Sequence, residues 1–310
     1  MLSRAIAVLA AMLLLSSPRA SAADDPAAPA RSGELMEGMS EGAGSRLSRH
    51  WELDDRSKQG TFLFRPHKPV YFLPVRYGGD PNDDPSSPSR GVSPPQGLDN
   101  METKFQLSFK IKAAQSLLGS KADLWIGYTQ QSNWQVYNGA ISRPFRETNH
   151  EPELMLVIPT RFDLLGLRGR FVNLALVHQS NGRSNPLSRS WNRLYAQFGF
   201  ERGGLALLVR PWYRLPENRE EDDNSDLEDY LGHGDVLGIY QWRRHTLSAL
   251  LRDNLNTDRN RGTVELEYSF PIHARLEGFV QTFWGYGESL IDYNHREAVV
   301  GIGILLIDWM

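Results

Sequence analysis

The sequence predicts an all-β protein, a twelve-stranded antiparallel transmembrane β-barrel, and three observations carry that expectation. Short segments in which apolar and polar residues alternate recur from about residue 61 to the C-terminus, which is the period of a strand wet on one face and greasy on the other. Aromatic residues gather near the ends of those segments, among them Trp134, Tyr137, Trp212, Tyr213, Trp284 and Tyr286, as in the interfacial girdles of a lipid-embedded barrel. The N-terminus reads as an export signal, and no later run is apolar for long enough to cross a bilayer as a helix.

Taken in order, Arg4 precedes an apolar run from Ala5 to Leu15, and Ala20-Ser21-Ala22 offers a small-residue cleavage site, so residues 1–22 read as a removable signal. The apolar run, about 11 residues, is well short of the roughly 20 of a membrane-spanning helix. Residues 23–60, rich in Ala, Gly, Ser, Glu and Arg, are expected to form a flexible leader, and residues 61–310 the barrel. Strands are expected near 68–76, 104–111, 121–132, 151–160, 168–180, 191–202, 203–214, 234–243, 246–254, 263–270, 273–284 and 296–309, with a Pro-, Gly-, Asp- and Ser-rich loop from Gly79 to Asp99. The clearest is Thr263 to Phe270, where Thr263, Glu265, Glu267 and Ser269 alternate with Val264, Leu266, Tyr268 and Phe270. Lys104 to Ile111 repeats the pattern, and Val300, Ile302, Ile304 and Leu306 form the apolar row of a closing strand. An even count suits a closed antiparallel barrel.

The chain has no Cys, as suits an exported protein, and its net charge of -3 with scattered basic residues gives nucleic acid nothing to bind. Its negative mean hydropathy fits a soluble protein as well, and a soluble sandwich or ligand-binding barrel would bury the apolar face instead of showing it to lipid.

The most informative stretch is His178 to Tyr195. Stepping back by two from His178 gives Leu176, Leu174 and Val172, and stepping on from Asn192 gives Leu194, Ala196, Phe198 and Phe200. The opposite face of the second strand carries Trp191, Arg193, Tyr195, Gln197 and Glu201. His178, Ser180 and Asn192, a set able to make an activated nucleophile, therefore share the greasy face. In a membrane barrel that face is the outside. A non-catalytic barrel, whether porin or structural protein, has no reason to keep such a set there, and a secreted soluble esterase would need a cleft that no segment identifies.

Four segments, HQSNG from His178, SRSWNRLY ending at Tyr195, PFRETN from Pro144 to Asn149 and GYGESLIDYN from Gly285 to Asn294, closely resemble the outer-membrane phospholipase A family. The resemblance covers most of the chain from about residue 60. It implies a twelve-stranded outer-membrane barrel that hydrolyses acyl esters of phospholipids and lysophospholipids, depends on calcium and acts as a homodimer. By position it makes Ser180 the nucleophile, His178 the general base and Asn192 the residue that orients the imidazole. It makes the Arg183 carbonyl, the Ser188 hydroxyl and Ser142 of the partner subunit the calcium ligands, and it sets Gln130 in the dimer interface. Gln130 shares the parity of Leu124 and Ile126, so its amide is expected to face lipid and to need a partner. A neutral Asn in the third position avoids a charge facing lipid, which costs about 2–4 kcal/mol in the worst cases.

The chain departs from the family at Gln179 and Asn185, where relatives carry Asp, so a raised calcium requirement is expected. The Ser180 backbone N–H is the expected protein donor to the oxyanion. The acidic run Glu217 to Asp229 is expected to be a solvated loop, with an additional calcium role as the alternative, Glu288 and Asp292 to be rim structure, and Glu265, Glu267, Arg193 and Glu201 to pair inside the barrel and so close it to water.

Overall fold

Alternation of this kind, carried through a whole chain, has one way to leave no edge unpaired, which is to close on itself. The computed structural model describes residues 45–274 and 276–309. The expected signal, the first part of the leader and Met310 lie outside the described residues. In chain order the strands are β1 (Phe64–Pro66), β2 (Val70–Gly78), β3 (Ser86–Ser87), β4 (Gly91–Val92), β5 (Met101–Ala114), β6 (Asp123–Trp134), β7 (Phe145–Leu164), β8 (Leu167–Ser180), β9 (Ser190–Arg202), β10 (Leu205–Arg214), β11 (Gly234–Trp242), β12 (His245–Asp253), β13 (Gly262–His273), β14 (Leu276–Tyr286) and β15 (Arg296–Ile307). Antiparallel pairing runs from β5 through each neighbour to β15, which pairs with β2, and β2 pairs back to β5. Twelve strands thus close a barrel, with β1 laid on β5 and β3–β4 forming a separate ribbon in a loop.

All twelve expected strands are present. The largest departure is β7, which begins at Phe145 because the PFRETN segment belongs to it. Its early residues Arg146, Glu147 and Asn149 are buried, so no apolar row marks them as a strand.

Burial separates the two faces. Inward-facing Trp125, Met155, Val157, Phe171, Val177 and Tyr195 are buried, whereas Ile126, Leu154, Leu174, Leu176, Leu194, Val300 and Ile302 stand exposed on the outside. A barrel with its leucines outward is built for lipid. Among the described residues no helix is long and apolar enough to cross a membrane, so any crossing is made by strands. Of the expected girdle residues, Tyr137, Tyr213 and Trp284 are exposed on the outer surface, but Trp212 is not. It points inward, donates from Nε1 to the Gly232 carbonyl at 2.9 Å and packs edge-on against Trp191. Two consecutive strand residues cannot face the same way, and Tyr213 holds the outer position.

The lumen is filled. Arg76 bonds Glu102, Glu288 and Glu297, Lys104 bonds Glu288 at 2.8 Å, and Arg146 bonds Glu102 and Asp292. Glu288, Asp292 and Glu297 converge in the barrel, but these three cations already sit among them. Glu267 accepts from Ser248, Gln281 and Trp309, Arg193 pairs with Glu151, and Glu201 pairs with Arg170. The expectation of a paired interior therefore holds for these groups, and Glu265 lines a residual cavity of about 230 Å³.

The leader expected to be flexible as far as residue 60 is corrected from Ser45 onward. Helix α1 (Arg46–Trp51) lies inside the barrel at the end with short turns. Ser45 caps it by accepting from Ser48 N–H, and Glu201 accepts both the Ser45 hydroxyl and the Leu47 N–H. Trp51 is buried against Trp125 and Phe171, with the Lys110 ammonium 3.6 Å from its ring centre. A six-residue helix has too little hydrophobic pattern to announce itself, and only the tertiary partners hold it.

Candidate active site

β8 and β9 place the expected chemistry outside the barrel. His178 lies across from Asn192 in their register, and Ser180 lies across from Ser190. Along β8 the outward row reads Leu174, Leu176, His178 and Ser180, while Asn173, Ala175 and Val177 between them are buried. All three candidates therefore share the outer face, at the end of the barrel that carries the long loops. His178 Nδ1 and Asn192 Oδ1 are 2.9 Å apart. An amide oxygen can only accept, so Nδ1 carries the proton and Nε2 keeps its lone pair for another partner. Ser180 stands two residues along the same row, about 6–7 Å by strand rise. Among the described residues no hydrogen bond joins its hydroxyl to the imidazole, a spacing common before substrate draws such groups together.

Three residues not singled out from the sequence border this set. The first is Glu217, which accepts from Asn192 Nδ2 at 2.9 Å. The second is Asp223, buried beneath the loop between β8 and β9. Its Oδ2 accepts from Ser188 at 2.5 Å and Ser190 at 3.5 Å, and its Oδ1 from Arg90 Nε at 2.8 Å. The expectation of a uniformly solvated acidic run is thereby corrected, since Asp223, Asn224 and Leu227 are buried and Asp222 bonds Arg214 at 2.7 Å. The third is His150, which faces Ser180 across the β7–β8 register. The Tyr128 hydroxyl lies 2.7 Å from His150 Nδ1 and 3.3 Å from Gln130 Oε1, and Gln130 Nε2 donates to Ser132 at 3.2 Å. Gln130 does share the outward parity of Ile126, but its amide is not alone as expected.

The residues proposed for calcium lie around the same end. Arg183 and Ser188 belong to the loop 181–189, which buried Asn181 organises by accepting from the N–H groups of Arg183 and Arg189 and donating to Leu187 O and Glu147. Ser142 is exposed in the loop 135–144, and among the described residues no hydrogen bond joins it to the Ser188–Asp223 cluster. Asn185 is exposed in its loop. Gln179 faces inward, where its Oε1 accepts from Trp191 Nε1 and Arg193 at 2.9 Å each, so its carbonyl is not available to an ion beside Ser188. Below the site an open apolar groove of about 660 Å³ runs down the outer face, lined by Leu154, Leu174, Leu176, Leu194, Ala196 and Tyr213 among others.

A sequence model of the phospholipase A1 family matches residues 47–306. A protein of Neisseria meningitidis serogroup B is 44% identical over 269 residues, which are 84% of this chain and 70% of that one. The phospholipase A1 of Escherichia coli K12 is 42% identical over 207 residues, 67% of this chain and 70% of its own. Among solved structures, the outer membrane phospholipase A of Escherichia coli superposes with a TM-score of 0.72 at 34% identity, covering 83% of this chain and 96% of that one. The outer membrane phospholipase of Salmonella typhi, solved as a dimer with bound calcium, gives 0.75 at 33% identity, covering 86% of this chain and 100% of that one. With the family matched over nearly the whole described barrel, and with solved relatives sharing its architecture, the chain belongs to the phospholipase A1 family of outer-membrane β-barrel enzymes.

Proposed function

We propose that the protein is a calcium-dependent, homodimeric phospholipase that hydrolyses acyl esters of phospholipids and lysophospholipids, at the first and second positions of the glycerol, by a Ser-His-Asn mechanism. The observation that carries this reading is the His178–Asn192 hydrogen bond on the outer face, with Ser180 next in the same outward row. His178 Nε2 takes the Ser180 proton as the hydroxyl oxygen attacks the ester carbonyl, and returns it to the leaving glycerol or lysolipid oxygen. Water then repeats the sequence on the acyl-enzyme. Asn192 keeps the proton on Nδ1 throughout, and the Ser180 N–H donates to the oxyanion. The leucine-lined groove receives the acyl chain without drawing it out of an apolar phase.

The donor set fits calcium, a hard ion that takes oxygen ligands, because the Ser188 hydroxyl sits against the Asp223 carboxylate. The ligands would be the Arg183 carbonyl, the Ser188 hydroxyl and Ser142 of the partner subunit, with Asp223 supplying the negative charge that Gln179 and Asn185 do not. When bound, the ion supplies positive charge opposite the developing oxyanion. A site completed from two chains is silent in the monomer. Gln130, on the outward face, is the proposed polar contact of the dimer, and the calcium-bound dimer of the Salmonella relative supports both parts of this reading. In an outer-membrane barrel the long loops face outward, which sets the site in the outer leaflet.

A non-catalytic, porin-like barrel is the competing reading, and the filled lumen counts against it. The deciding experiment is fatty-acid release from phospholipid in detergent micelles, with calcium and then with chelator. Calcium-dependent release is expected; a folded, cross-linkable dimer that releases none would favour the inert barrel.

A further inference from the structure

The outer face explains how an amide does the work that a carboxylate does in other nucleophilic triads. β10 pairs with β9 through Arg214 opposite Arg193, and the ladder continues one residue further, with Leu215 N–H donating to the Asn192 carbonyl at 2.8 Å. Leu215 thus stands opposite Asn192, and Glu217 is the diagonal neighbour on the same face. Pro216 between them fixes the backbone. The Glu221 and Asp222 N–H groups return to the Asn218 carbonyl just beyond, and Arg214, paired with Asp222, braces the turn. Glu217 is therefore carried to Asn192 by the sheet and held there by the turn.

We propose that Glu217 is a positioning residue that acts on His178 through Asn192, giving a His-amide-carboxylate chain in place of a His-carboxylate pair. This rests on the Ser-His-Asn reading above. The amide of Asn192 can be rotated by half a turn at little intrinsic cost, and the rotated form would offer an N–H to His178 Nδ1. That would stabilise the tautomer with its proton on Nε2, the nitrogen that must be free to take the Ser180 proton. A carboxylate can only accept, so Glu217 draws Nδ2 to itself and leaves Oδ1 for the imidazole. It also sets a negative charge two hydrogen bonds from the imidazolium that forms as Ser180 is deprotonated. The charge sits in a loop, half-buried, so no bare carboxylate faces lipid. Burial pushes the Glu217 carboxyl above the usual carboxylate range, while the Asn192 N–H and the Arg214 guanidinium work against that shift.

The test measures kcat and KM for micellar phospholipid with Glu217→Ala and Glu217→Gln, each in the wild-type and the Asn192→Ala background, beside Ser180→Ala. Glu217→Ala is expected to lower kcat by about ten- to a hundredfold with KM unchanged, by analogy with the loss of other residues that orient a functional ligand. Glu217→Gln keeps an acceptor oxygen but loses the charge and can also donate, so it should recover only part of that loss. In the Asn192→Ala background neither substitution should lower kcat further, because the path to His178 is already cut. An independent, multiplying loss in that background would overturn the proposal, as would wild-type kcat in Glu217→Ala while Asn192→Ala is crippled. Activity retained in Ser180→Ala or Asn192→Ala would instead strike the triad reading itself, and Glu217 would fall with it.

Discussion

The inside and the outside of this barrel carry polar side chains on different terms. Inside, carboxylates and cations meet in a continuous network, so that Arg76 alone touches Glu102, Glu288 and Glu297. Those charges are explained by their neighbours. On the outer face the polar groups are few, stand among exposed leucines, and form one row across neighbouring strands that includes Gln130, Tyr128, His150, Ser180, His178, Asn192 and Glu217. A polar group facing lipid weakens the barrel unless it is satisfied, and packing gives no reason to place one there. The inner network accounts for how the fold holds, and the outer row carries the proposed chemistry.

This contrast predicts that the two faces fail differently. On the outside, Ser180→Ala and His178→Asn should each cut phospholipid hydrolysis by about a thousandfold or more, because the members of such a set act as a unit. The heat-modifiable barrel should persist on gels in both. Wild-type hydrolysis by Ser180→Ala would end the assignment of the nucleophile.

On the inside the expected damage is to stability. Arg76→Met strands buried Glu297 and takes one partner each from Glu102 and Glu288, which keep Arg146 and Lys104, and leaving a buried charge uncompensated in this way costs about 3–5 kcal/mol. The urea midpoint for unfolding should drop accordingly, while hydrolysis per folded dimer stays near wild type. If Arg76→Met were as stable as the parent but catalytically dead, the division between the two faces would be wrong.

How much of this was legible in the sequence also divides along the two faces. Parity alone put His178, Ser180 and Asn192 on the greasy face, because the period of a strand is fixed and the flanking leucines declare the face, and the membrane-barrel reading made that face the outside. The same parity, applied to Trp212 and Tyr213, would have sent Trp212 inside. What stayed hidden depends on partners distant in the chain. Glu217 meets Asn192 across 25 positions, and Asp223 meets Ser188 across 35 and Arg90 across 133, so locally both acids look like any solvated run. Helix α1 and the first residues of β7 were missed for a related reason. The first residues of β7 are buried through polar contacts such as Asn149 with Leu290 N–H, which leave no hydrophobic pattern, and helix α1 is too short for its buried Leu47 and Trp51 to show a period.

Asp223 sharpens the comparison, since it is a buried acid at the rim that borders the outer site. Asp223→Asn keeps a hydrogen-bond acceptor for Ser188 but removes charge beside the proposed ion. Half-activation should then need roughly tenfold more calcium, the scale of losses around metal ligands. Calorimetric titration of the dimer with calcium should show the same weakening without any substrate. Unchanged calcium affinity would mean that Asp223 serves only to hold the loop against Arg90.

The smallest expected effect concerns Gln130, whose amide already has partners in Tyr128 and Ser132. An amide carries two N–H donors and an oxygen with two lone pairs, so those bonds leave capacity for a second chain. Hydrogen bonds between membrane segments average about 0.6 kcal/mol and reach about 1.7, because the separated state finds partners too. Gln130→Leu should therefore weaken dimerisation only about threefold per bond lost, read by sedimentation equilibrium in micelles with calcium present. The monomer should be no less stable, since leucine suits a lipid-facing position better than an amide. Activity should fall in step with dimer fraction and recover at higher protein concentration, which separates an association defect from a catalytic one. Dimerisation unchanged in Gln130→Leu would move the interface away from β6, and Ser142 would then need another route to its partner's loop.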